Sequence, residues 1–135
     1  PERKALERQV LQAGLEEKVH FLGFRSDPQT PLLQAGVFVL PSHFEGMPNA
    51  LLEAMAVGLA VVVTDASPGP LEVVEAGVTG LVVPSDEPAA LADALDRLAA
   101  QPQLRERLGA AAREALRQSD WPVVGPIWES LVDQR

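Results

Sequence analysis

Three short apolar runs constrain this chain most: "GVFVLP" at 36–41, "LAVVVT" at 59–64 and "GLVVP" at 80–84. None alternates apolar with polar residues, as a strand with one wet face would. Continuous Val/Leu runs mark parallel strands covered on both faces. Parallel neighbours need crossover connections, usually helical, and the intervals between the runs carry helix-forming sequence.

A helix is expected at about 48–57, followed by a shorter one at 70–77 ("PLEVVEAG") ending at Gly77. Upstream, residues 2–14 space Leu6, Val10 and Leu11 on one face and stop at Gly14, a suitable C′ residue. "KVHFLGF" (18–24) reads as a further strand, and Ser26 or Asp27 ahead of Pro28 opens a helix over about 28–35. Downstream, Leu91, Leu95 and Leu98 share a face of 88–100. Leu104, Leu108, Ala111 and Ala115 share a face of 103–118. After the "SDWP" break, 122–133 reads as a last helix carrying Trp128. The pattern predicts one α/β domain with a Rossmann-like, doubly wound parallel sheet of four strands. Residues 1–118 form its core and 119–135 its C-terminal helix.

At 135 residues the chain is long enough for one proper core, and 47% hydrophobic with 22% charged residues is a globular composition. The formal charge of −8, without a Lys/Arg run, argues against nucleic-acid binding. The absence of cysteine removes disulfides and thiolate metal sites. No stretch is long and apolar enough to span a membrane. The chain opens at Pro1 in helix-like sequence, which reads as an excerpt of a longer protein truncated at its N-terminus.

The chemistry concentrates in "LPSHFEGMPNALLEAMAVG", the turn from the 36–41 strand into the 48–57 helix. Ligands of open α/β sheets bind at the carboxyl ends of strands, beside helix N-termini whose N–H groups lack intrahelical partners. Gly46 permits close backbone approach, and Ser42 and Asn49 offer small polar contacts, so the turn suits an anion, most naturally phosphate. From Gly46 to Val63 the only charge is Glu53. With Asn49 as N-cap, a capping box would need its acid at 52, so Glu53 lies too deep to cap. It either faces donors such as a vicinal diol, snorkels to solvent, or caps another loop. Glu45 on its own reads as a solvated loop acid near a helix dipole, and His43 as a loop residue. No D-x-D, H-E-x-x-H, G-x-S-x-G or G-x-G-x-x-G motif occurs, so no metal or dinucleotide cofactor is expected.

These segments carry a resemblance. "VHFLGF", "AGVFVLPSHFEGMPNALLEAMAVGLAVVVTDA" and "GVTGLVVPSDEPAALADAL" resemble, in order, the C-terminal, donor-binding domain of retaining glycosyltransferases of the fourth sequence family, which have the GT-B fold. The resemblance covers at least residues 1–118, and the E-x7-E motif from Glu45 to Glu53 is its most specific element. It implies that Glu45 sits at the reacting sugar and contacts its hydroxyls. The amides of Gly46, Met47, Asn49 and Ala50, continued by Leu51 and Leu52, would hold the sugar or diphosphate. Ser42 would line the phosphate pocket, Glu53 would bind the ribose diol, and Arg25 would lie where the base is recognised.

The implied reaction moves a sugar from a nucleoside diphosphate sugar to an acceptor hydroxyl with retention and without a metal. The setting would be bacterial surface polysaccharide or glycolipid synthesis, in the cytoplasm or at the inner membrane face. A GT-B nucleotide-sugar epimerase and a non-catalytic interaction module are the alternatives. The family's basic Arg/Lys pair on the diphosphate and its N-terminal acceptor domain fall outside this chain, so the piece alone is expected to be inactive. "SPGPLE" replaces the family's usual Gly-Gly before Pro-Glu, and no sugar contact is carried over to that loop. The family also places two upstream strands between "VHFLGF" and "GVFVLP". Without them, either a rearranged sheet or a strand-paired homo-oligomer is expected.

Overall fold

The computed structural model describes residues 2–27 and 29–118. Its elements are α1 (Arg3–Gln12), α2 (Gln29–Gln34), β1 (Val37–Leu40), α3 (Asn49–Ala56), β2 (Ala60–Thr64), α4 (Pro68–Val73), β3 (Leu81–Val83), α5 (Pro88–Ala100) and α6 (Pro102–Gln118). The expected helix at 122–133 lies outside the described residues.

The three Val/Leu runs form one parallel sheet in the order β1-β2-β3, with Val37 opposite Ala60 and Val62 opposite Leu81. Every residue of the central β2 is buried, which is why its sequence shows no alternation. Its side chains still divide by parity. Val61 and Val63 pack with Leu51, Ala54 and Met55 of α3 and Ala112 of α6. Ala60 and Val62 face the opposite layer of Leu81, Val83, Ala94, Leu98, Leu104 and Leu108. The sheet is therefore covered on both sides, and α6 contributes to both layers.

The tight α3–β2 connection follows from its glycine. Gly58 adopts φ 80°, Leu59 N–H donates to the Ala54 carbonyl, and Gly58 N–H donates to that of Met55. That is a Schellman ending, and it turns the chain directly from helix into strand. Gly14, with φ 65°, ends α1 in the same way, as its position in the sequence predicts. Asp27 opens α2: its carboxylate accepts the Gln29 and Thr30 N–H groups, both at 3.1 Å, and the Thr30 hydroxyl. Those bonds, led by the Thr30 hydroxyl's, hold the Asp27 carboxyl below its ordinary pKa.

Several expectations are corrected. Residues 18–24 form no strand, and Phe24 is fully exposed. A strand exists only by pairing, and no described strand pairs with this segment. The sheet is not rearranged either: among the described residues it has three parallel strands in chain order rather than four. The α4 helix ends at Val73, and Gly77 belongs to the turn into β3, where its N–H donates to the Gly80 carbonyl. The N-cap of α3 is Pro48 rather than Asn49, so Asn49 is already inside the helix. The apolar face of α1 buries nothing, and Leu6 and Leu11 are exposed.

Candidate functional site

At the carboxyl ends of the three strands, the loops 41–48, 65–67 and 84–87 converge. Thr64 ends β2, and its hydroxyl donates to the Ser42 carbonyl at 2.6 Å. Ser42 Oγ in turn donates to Glu45 Oε1 at 2.7 Å. The Glu45 N–H donates to Ser67 Oγ at 3.0 Å. Asp65 joins the third loop, with its N–H donating to the Val83 carbonyl and its carboxylate accepting the Ser85 N–H at 2.8 Å. His43 and Asp86 lie 3.6 Å apart on the exposed rim.

The mouth of α3 presents open donors. The Gly46, Met47, Asn49 and Ala50 amides make no hydrogen bond among the described residues, and Asn49 and Ala50 begin a helix whose end carries partial positive charge. The Leu51 and Leu52 amides are not part of this open set. Both donate to the Pro48 carbonyl, and both side chains are buried in the core. Gly46 is open on its outer side, with nothing near an added Cβ. Met47 reaches a pocket of about 440 Å³ shared with Leu71, Glu72, Glu75 and Leu116.

Glu53 sits one turn further along, on the open stripe of α3 that includes Asn49 and Ala50. Leu51, Leu52, Ala54, Met55 and Ala56 bury the rest of the helix. The Glu53 carboxylate has no polar partner among the described residues, and burial raises its pKa above the ordinary value. An acid in this setting is short of donors, and a ligand diol would supply two. Arg25 stands apart. It is exposed, and its Nε donates to the Asp27 carbonyl at 3.4 Å. No hydrogen bond or ion pair among the described residues joins it to the 42–53 segment.

The residues that complete this turn from outside it are Thr64, Ser67 and Gly69. All three sit at the end of β2 or just after it. A parallel sheet places adjacent strand ends side by side, so the strand order would have pointed to them. Local spacing around Glu45 could not.

A family model for glycosyl transferases group 1 matches residues 1–115. The chain belongs to this family.

This chain of the glycosyl transferases group 1 family is 40% identical, over 82% of its length, to a phosphatidyl-myo-inositol mannosyltransferase of Mycobacterium leprae, and it covers 30% of that relative. Among solved structures it resembles the C-terminal domain of the group 1 glycosyltransferase LpcC from Francisella tularensis. The TM-score is 0.79 at 30% identity, over 87% of this chain and 61% of that one. It also resembles Anabaena HepE in complex with UDP and glucose, with a TM-score of 0.81 at 28% identity, over 97% of this chain and 34% of that one. The chain spans about a third or less of the length of the curated relatives it matches. Its parallel α/β fold is that of the C-terminal domain of a GT-B glycosyltransferase. Among the described residues, no helix is long and apolar enough to cross a membrane.

Proposed function

We propose that this chain is the donor-binding part of a glycosyltransferase that moves a hexosyl group from a nucleoside diphosphate sugar to an acceptor hydroxyl, with retention. The observation that carries this reading is the arrangement at the α3 mouth. Four open amides lie between two carboxylates, Glu45 at the turn and Glu53 on the helix's open face. The diphosphate fits the Met47, Asn49 and Ala50 amides, the ribose diol fits Glu53, and the transferred sugar fits the Gly46 amide and the Glu45 oxygen that Ser42 leaves free.

As the glycosidic bond breaks, negative charge grows on the leaving diphosphate. Amides already oriented at a helix N-terminus stabilise that charge without reorganising, so the proposed reaction uses no metal. The basic pair and the acceptor-binding domain would come from the rest of the protein, and the isolated chain would catalyse nothing. Cytoplasmic synthesis of surface polysaccharide or glycolipid is the setting that fits this reading.

Calorimetric titration of the full-length protein with UDP, ADP and GDP tests it. One of them should bind, and Glu45→Gln should weaken the matching nucleotide sugar about tenfold, the scale of one charge-assisted hydrogen bond. Failure of all three nucleotides and of their sugars to bind would leave the non-catalytic module. An epimer in place of a coupled product would make the protein an isomerase.

The edge of β1, Val37–Leu40, that is unpaired among the described residues is where the proposed strand pairing with a second copy would form. The 135-residue chain should then show a concentration-dependent dimer by light scattering. A monomer at every concentration overturns the pairing.

A further inference from the structure

The Glu45–Gly46 turn is held at two points by the loop that follows β2. Ser67 is only 5% exposed, and its Oγ accepts the Glu45 N–H at 3.0 Å. Two residues on, Gly69 lies backbone to backbone against Gly46. An added Cβ there would come within 1.6 Å of the Gly46 carbonyl oxygen and 3.2 Å of that of Glu45. Ser42 restrains the Glu45 carboxylate through Oε1, and Thr64 fixes Ser42 through its carbonyl. Among the described residues, Ser67 supplies the one side-chain hydrogen bond to the Glu45 backbone.

We propose that Ser67 is a positioning residue for the sugar end of the donor site. It holds the Glu45 peptide against the start of α4 and so aims the Glu45 carboxylate, and the Gly46 amide after it, at the transferred sugar. The inference rests on the donor-binding reading above.

The nucleotide end should be indifferent to Ser67. Asn49, Ala50 and Glu53 belong to α3, which is anchored through Leu51, Leu52 and Met55 in the core and not through this loop. Loss of the Ser67 hydroxyl therefore separates the two ends of the donor. A misplacement of about 1 Å at a reacting group lowers rate by about a hundredfold, whereas binding of a ligand that does not touch the group is unchanged.

The test compares the full-length protein with its Ser67→Ala variant in titrations with UDP and UDP-glucose, alongside amide hydrogen exchange. The variant should bind UDP within about twofold of the parent and UDP-glucose about tenfold more weakly, as expected from one misdirected hydrogen bond to a charged group. Its Glu45 amide should exchange faster while β2 amides keep their protection. Equal losses for UDP and UDP-glucose would mean a merely structural hydroxyl and overturn the proposal, as would no loss for either. Unchanged exchange at Glu45 overturns it independently of any ligand. If the parent binds neither compound, its donor is not UDP-glucose, and the exchange at Glu45 still decides whether Ser67 holds the turn.

Discussion

Replacing Glu53 with glutamine should make the protein more stable at pH 7 and weaken its nucleotide binding between about ten- and a hundredfold. Both effects follow from one observation: a half-buried carboxylate without a polar partner among the described residues. Burial raises its pKa, so the folded protein holds that proton more tightly than the unfolded chain does. Between the ordinary value of 4.5 and the raised one, folding takes up a proton, and stability falls as pH rises through that window. Above the window the ionised acid costs stability, and a neutral amide of the same shape does not. The Tm of Glu53→Gln should therefore exceed that of the parent at pH 7, and the two should converge as the pH falls below 4.5. Binding should move the other way. A ribose diol can donate one hydrogen bond to each oxygen of a carboxylate, whereas glutamine puts an NH2 donor in place of one of them, and a bond to a charged group is worth about 1.5–3 kcal/mol. Thermal melts across pH and a nucleotide titration measure the two arms. A variant that binds UDP, ADP and GDP as the parent does would remove Glu53 from the ribose, whatever happens to Tm. A destabilised variant at pH 7 would mean that the acid has a partner in the fold.

Gly109→Ala should cost the protein much of its stability. In an exposed helix this substitution would stabilise by about 1 kcal/mol, because alanine restricts the unfolded chain. At Gly109, however, an added Cβ would lie 2.0 Å from the Gly58 carbonyl oxygen and 2.8 Å from its carbon. These are backbone atoms of the α3–β2 turn and cannot rotate away. Relief requires α6 to move off β2, which loosens Leu108 and Ala112, both at 0% exposure. Overpacking costs about 1–3 kcal/mol where side chains can adapt, and here they cannot, so a loss of about 3 kcal/mol or more outweighs the propensity gain. In a domain of this size that corresponds to about 10 °C in Tm. A denaturant midpoint at or above the parent's would show that α6 can slide without loss.

Much of this architecture was legible because it rests on local rules. Val37–Leu40, Ala60–Thr64 and Leu81–Val83 are β-rich apolar runs, fully buried only in the central one, and each became a strand within a residue or two of its expected limits. The long helices α5 and α6 followed from their leucine spacing. Residues 18–24 did not form the expected strand although the composition invited one, because a strand needs a second backbone and composition is silent about where that backbone lies. Asn49 looked like a cap because asparagine caps well, yet the chain enters helical geometry directly after the extended Pro48.

The sequence by itself determined the sheet's strands, the helix mouth at 46–50, the two acids flanking it and the family. Each is a matter of residue type and spacing along one stretch of chain. The tertiary structure decided which donors stay open and what holds them. It committed the Leu51 and Leu52 amides to Pro48, left Glu53 without a polar partner among the described residues, kept Arg25 apart from the turn, and brought Ser67 and Gly69 against Glu45 and Gly46. Those facts depend on which strand lies beside which. Ser67 and Glu45 meet only because parallel pairing of β1 and β2 sets their ends side by side.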